Sequence, residues 1–115
     1  MNGRENVRTG IWGEWQAARL LKKAGYKILA WRYRCAGGEI DLVAMDHQVL
    51  VFVEVKVRSN GKLGDGVHAV NHEKRRRIRA AAKGYLARSG RENGPVRFDV
   101  VEISAAGARH MVNAF

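Results

Sequence analysis

Cysteine and proline are nearly missing from this chain: its 115 residues include one of each, Cys35 and Pro95. A single cysteine excludes an internal disulfide framework and agrees with a reducing compartment. Cys35 itself reads as a small strand residue. No apolar run approaches the roughly 20 residues a membrane helix needs. The N-terminus also lacks a hydrophobic signal segment, so a cytoplasmic location away from membranes is expected. His47, His68, His72 and His110 show no zinc spacing, and one cysteine cannot complete such a site. A nucleophile elbow and a G-x-x-x-x-G-K-S/T loop are both absent.

Acidic residues are in the minority, with 11 Asp and Glu against 21 Lys and Arg and a net charge of +10. That balance favours an anionic polymer as partner, nucleic acid ahead of an acidic membrane surface. The length suits one domain with one core. The 46% hydrophobic and 28% charged content is that of an ordinary globular chain.

The stretch from Gly37 to Arg58 organises the rest. Two alternating apolar runs flank the polar turn Asp46-His47-Gln48, the pattern of a β-hairpin. In the first run Glu39, Asp41, Val43 and Met45 fall on one face, and Ile40, Leu42 and Ala44 on the other. In the second, Val49, Val51, Val53, Val55 and Val57 oppose Leu50, Phe52, Glu54, Lys56 and Arg58. The second run is rich enough in β-branched and aromatic residues for a central strand covered on both sides. Charges there are costly unless paired or holding a metal. Glu54 and Lys56 sit there side by side, and a hairpin brings Asp41 near them.

Residues 1–9 read as a loose end. Gly10 to Ala24 reads as a helix with Ala17, Ala18, Leu21 and Ala24 on its stripe and Trp15 and Leu20 beside it. Glu14 also falls on that stripe. It reads either as an acid favoured near a helix N-terminus or as a fourth member of a site with Asp41, Glu54 and Lys56. Gly25 ends the helix. Tyr26 to Arg34 reads as a strand with Ile28, Ala30, Arg32 and Arg34 on one face and Leu29, Trp31, Tyr33 and Cys35 on the other. Trp31 and Tyr33 suit either core packing or stacking on bases. Ser59 to Gly66 reads as a glycine-rich loop.

Val67 to Ser89 reads as a second helix with Asn71 as a candidate cap. Ile78, Ala81, Ala82, Tyr85 and Leu86 form its stripe. Arg75, Arg76, Arg79 and Lys83 fall on its far side, as a solvated face or a phosphate-binding one. Lys74 lies at the edge of the stripe, within reach of the hairpin. Val96 to Ser104 reads as the last core strand, parallel to the central one, with Asp99 structural. Residues 105–115 offer an edge strand.

The order acid, hairpin, acid-x-Lys, basic helix, strand resembles the PD-(D/E)XK nuclease superfamily in Asp41 and Glu54-Val55-Lys56, with Ile40 where that pattern has Pro. A closer resemblance is to the YraN family of small bacterial nuclease-like proteins. It is carried by Gly13-Glu14 with Ala17, Gly25-Tyr26, Gly38 to Leu42, Val51 to Lys56, Lys74, Tyr85-Leu86 and Arg97 to Val101, which together cover about the whole chain. Archaeal Holliday-junction resolvases are more distantly similar. One departure is Arg32, where that family is expected to carry Asn.

The resemblance implies a restriction-endonuclease-like αβββαβ core, with a mixed central sheet flanked by helices. It implies a metal-dependent endonuclease acting on DNA, branched or damaged, and a two-fold dimer if the role is resolvase-like. Asp41 and Glu54 are then the expected ligands of Mg²⁺ or Mn²⁺, with the Val55 carbonyl as a third by resemblance and Glu14 bound directly or through water. Lys56 is expected to orient the attacking water. Glu39 is expected to support Asp41, and Lys74, Arg75, Arg76, Arg79, Lys83 and Arg58 to meet nucleic acid. A non-catalytic DNA- or RNA-binding module that keeps the fold is the alternative.

Overall fold

The computed structural model describes residues 3–58 and 71–115. The chain runs α1 (Gly3–Lys23), β1 (Lys27–Cys35), β2 (Gly38–Asp46), β3 (Val49–Arg58), α2 (His72–Ser89), β4 (Val96–Ser104) and β5 (Gly107–Met111). The strands form one mixed sheet in the order β1-β2-β3-β4-β5. Among the described residues only β3 and β4 pair in parallel, joined by the crossover that contains α2. Helix α1 starts at Gly3, so the expected loose end is helical from that residue on. The expected loop from Ser59 and the first residues of the second helix, 67–70, lie outside the described residues.

Local chemistry sets the helix ends. Gly25, at φ +95°, follows α1; its N–H bonds the Lys22 carbonyl and the Tyr26 N–H bonds the Leu21 carbonyl, the two bonds of a Schellman turn. Asn71 caps α2 by accepting the Lys74 N–H at 2.9 Å, and Gly90 closes the far end in the left-handed conformation.

The sheet separates two apolar layers. On the α1 side Ala17, Ala18 and Leu21 pack on Leu42, Val51, Val53, Val101 and Ile103. On the α2 side Ile78, Ala81 and Ala82 pack on Ile40, Val43, Leu50, Phe52 and Val100. Strand β3 alternates between the layers as its sequence requires, and Val51, Phe52 and Val53 are sealed from solvent. Each such side chain contributes about 1.5–3 kcal/mol by burial. Phe52 stacks on Phe98, and Phe98 lies against Phe115, so the C-terminus completes the α2-side layer.

Two predicted faces are wrong. Trp31 was expected beside Leu29 and Tyr33, yet it lies against Trp15 of α1 while Leu29 and Tyr33 join the α2-side core. Ile40 was expected beside Leu42, yet Ile40 packs toward α2 and Leu42 toward α1. The β1–β2 register slips between Ile28 and Ala30, and Arg32 adopts φ +48°. Each irregularity shifts the pleat of β1 and reverses which face its following residues present; the change of face between Ile40 and Leu42 falls where the β2–β3 pairing ends.

Candidate active site at a fork between two strands

The β2–β3 ladder runs from Asp46↔Val49 to Leu42↔Val53 and ends there. Strand β2 continues back to Gly38 paired with β1 alone. The two strands therefore splay, and Asp41 stands at the mouth of the fork. Its Oδ2 accepts the Val55 N–H at 2.8 Å, replacing the backbone acceptor that the splayed strand withdraws. Strand geometry turns the Val55 carbonyl to the same edge as its N–H.

Glu54, one residue earlier on β3 and 5% exposed, meets Asp41 across this gap. Burial first, and the adjacent Glu54 charge second, push the Asp41 carboxyl up to about 8, against the pull of the Val55 N–H. Glu54 also receives the Lys74 ammonium from the first turn of α2. Its placement follows from the cap: Asn71 starts α2 so that Lys74 lies one turn before buried Ile78, facing the sheet. Lys56 follows on β3, partly exposed, and forms no ion pair among the described residues.

Glu14 projects from the buried face of α1 into a cleft of about 270 Å³ that also holds Asp41, Arg32, Arg34, Glu39 and Val55. Both Glu14 oxygens are taken by Arg32, with Nε at 2.8 and 3.0 Å and Nη2 at 2.7 Å. Helix α1 reaches this depth because Gly13 touches Val57, where a Cβ would collide with the valine side chain. Glu39 is exposed at the cleft rim, 3.4 Å from Arg34. Asp41, Glu54 and Glu14 thus gather at one end of the sheet. Among the described residues, however, no three Asp, Glu, His or Cys side chains form a ready metal cage, and Arg32 and Lys74 each hold one acid.

The predicted basic surface divides. Arg76 and Lys83 face solvent. Arg79 covers the Phe98 ring at 5.6 Å and Arg75 the Phe115 ring at 5.6 Å, so part of the basic face shields the aromatic layer. Arg58 turns inward to fully buried Glu102 at 3.1 Å. Arg32 carried no assigned role in the sequence reading beyond its departure from the Asn expected there. Asn tolerates the left-handed backbone found there, whereas Arg strains it by about 1–2 kcal/mol, and the chelated Glu14 offsets that strain.

Replacing Arg32 with Asn is therefore expected to relax the backbone and release Glu14 toward Asp41. If Glu14 and Asp41 can share a cation, calorimetric titration should then show Mg²⁺ binding tighter than in the wild type by roughly tenfold, the scale of one nearby positive charge removed from a partly buried site. Unchanged affinity would mean that Glu14 takes no part in cation binding.

A five-stranded mixed sheet between two helices, with two abutting carboxylates at a strand fork, defines a small α/β domain with an acidic site. The chain belongs to the YraN-like family described as Uncharacterised protein family UPF0102, whose model matches residues 13–103 and so spans Glu14, Asp41, Glu54 and Lys56. A UPF0102 protein of Symbiobacterium thermophilum is 50% identical over 96 residues, 84% of this chain and 81% of the relative. One from Alkaliphilus oremlandii is 41% identical over 96% of this chain and 99% of its own length. One from Geobacter metallireducens is 42% identical over 96% and 93%.

Proposed function

We propose that this domain is a metal-dependent endonuclease of the PD-(D/E)XK type, built on a restriction-endonuclease-like αβββαβ core to which β5 adds an edge strand. The reading is carried by the juxtaposition of Asp41 and Glu54 at the fork. Half-buried Asp41 and buried Glu54, pressed together, repel when both are charged, and a divalent cation relieves that repulsion, so the pair fits Mg²⁺ or Mn²⁺ on chemical grounds. When bound, such an ion polarises a phosphodiester and lowers the pKa of a water nucleophile.

Asp41 and Glu54 would hold the ion, joined by the Val55 carbonyl and by Glu14 once Arg32 yields it. The Val55 N–H fixes the Asp41 rotamer. Lys56, one residue past Val55 and uncommitted among the described residues, orients the attacking water and offsets charge on the phosphate. Lys74, in contact with the Glu54 carboxylate, holds it in place before substrate arrives. Arg34 at the rim and the solvent-facing Arg76 and Lys83 of α2 supply contacts to the nucleic-acid backbone. DNA, branched or damaged, is the substrate that the resemblance suggests, and a resolvase-like role would make the protein a two-fold dimer.

A non-cleaving nucleic-acid-binding module is the second reading. It is favoured by one observation: Arg32 and Lys74 already neutralise Glu14 and Glu54 from within. Incubating the protein with plasmid, Y-fork and four-way-junction DNA in Mg²⁺, Mn²⁺ or EDTA separates the two. The endonuclease cleaves with metal and not in EDTA, and Lys56→Ala lowers the rate by about 100-fold or more while binding in EDTA is retained. Binding without cleavage in every metal would establish the module instead.

A further inference from the structure

Trp15 and Trp31 are unusually open for indole side chains, at 59% and 41% exposure, and Ile11 beside them is 42% exposed. Trp15 comes from α1 and Trp31 from β1, at the free edge of the sheet. Their rings are 5.5 Å apart and tilted by 47°, so they meet without closing on each other. With Ile11, Glu14 and Arg32 they line an open recess of about 160 Å³. That is the size of a cavity which accepts one benzene ring, about 150 Å³. Glu14 and Arg32 also line the neighbouring cleft that holds Asp41, so the recess and the acidic site share a wall.

The surroundings indicate what fits there. The recess presents ring faces and apolar surface, with the Arg32–Glu14 pair at its wall and Arg34, itself 3.4 Å from Glu39, in the next cleft, on a chain of net charge +10. A ligand that is flat, aromatic and joined to an anion matches both parts, and a nucleotide is such a ligand. A base inside a duplex has both faces covered by its neighbours and cannot enter; only an unpaired or flipped base offers its face to an indole.

We infer that Trp15 and Trp31 form a stacking platform for one unpaired nucleobase beside the Asp41–Glu54 pair, so that the substrate is nucleic acid with a single-stranded or extruded nucleotide next to the scissile phosphate. The inference rests on the nuclease reading of the adjoining cleft. The base is held by Trp15 and Trp31, and its phosphate then falls toward Arg32, Arg34 and the fork.

Intrinsic fluorescence tests this directly. Trp12, which lines a different groove on α1, is first changed to Phe so that the signal comes from Trp15 and Trp31. In EDTA, at fixed salt, a short single strand is expected to quench this fluorescence, and a blunt duplex of equal length is not. Trp31→Ala should weaken single-strand binding about tenfold, the scale of one lost stacked base, with duplex affinity unchanged, and Trp31→Phe should restore most of the loss. No quenching, or an equal loss for both nucleic acids, would overturn the platform. So would a dimer, seen by sedimentation, that Trp31→Ala converts to monomer, which would assign the patch to a second copy of the chain. Because the titration needs no hydrolysis, failure of the endonuclease reading leaves its outcome readable. Conversely, metal-dependent cleavage by the wild type with unaltered single-strand binding in Trp31→Ala would remove the platform alone.

Discussion

Changing Asp41 to Asn is expected to abolish metal-dependent cleavage and, in EDTA, to make the folded protein more stable at pH 8 than the wild type. The first effect follows from removing one of the two carboxylates proposed to hold the ion. The loss should be at least about a thousandfold, the scale of deleting one group from a preorganised charge-stabilising set. The second effect separates this loss from simple misfolding. Asn keeps an oxygen that can accept the Val55 N–H but carries no charge to repel Glu54.

The pH dependence has a definite sign. The Asp41 carboxyl titrates near 3.8 in its ordinary state and is raised to about 8 in the fold, by burial and by Glu54. Between those values the folded protein holds a proton that the unfolded chain has released. Stability from this group is therefore fully present below about pH 4 and is lost as pH rises toward 8. Asp41→Asn has no such proton, so its melting temperature should overtake that of the wild type across this window. Added Mg²⁺ should reverse the order, stabilising the wild type increasingly as pH rises and leaving Asp41→Asn nearly unmoved. Parallel melting curves for the two proteins from about pH 5 to pH 8 would mean that Asp41 and Glu54 do not share a strained site.

Much of this site was legible in the chain because its parts lie where residue periodicity holds. Strand β3 is unbroken, so Glu54 and its apolar neighbours fall on the expected faces. Helix α1 is regular, so Glu14 lands on the buried stripe with Ala17, Ala18 and Leu21. Asn71 fixes the phase of α2, so Lys74 reaches Glu54. The fork itself was not legible. It depends on the slip after Ile28, the left-handed backbone at Arg32 and the point where β2 leaves β3. These are properties of paired strands, and an alternation read along one strand assumes a continuous pleat. The sequence also gave no sign that Arg32 would chelate Glu14, or that Arg58 would turn inward to Glu102 rather than outward to a phosphate. Ion pairs between residues distant in the chain leave no local pattern.

The second large effect is expected far from the fork. Asp99→Ala should lower stability by about 3–5 kcal/mol, the scale of breaking a buried charged network by removing one member. Asp99 is completely buried, and its carboxylate accepts Arg97 Nε at 2.9 Å, Arg97 Nη2 at 3.0 Å and the Asn113 N–H at 2.9 Å, with His110 Nε2 at 2.7 Å. Arg97 also donates to Asp46 at 3.0 Å and to the Tyr26 hydroxyl. One carboxylate thus ties β4 to β5 and to the residues that bring Phe115 onto Phe98. Its neighbour Arg97, at i and i+2 on one strand face, was the only local sign of this network in the sequence. Without the carboxylate, Arg97 keeps Asp46 and Tyr26, while the Asn113 N–H and His110 lose the acceptor they share. A domain of this size has about 5–15 kcal/mol of stability in all, so the melting temperature should fall by at least about 12 °C. The acid limb supplies a control. Burial alone would raise the Asp99 carboxyl, but His110, Arg97 and the Asn113 N–H together hold it below its ordinary value. Its contribution is therefore present above about pH 4 and disappears as pH falls through the lowered value, so the gap between wild type and Asp99→Ala should narrow in acid. A gap that stays constant down to about pH 2 would assign the loss to packing rather than to the charge network.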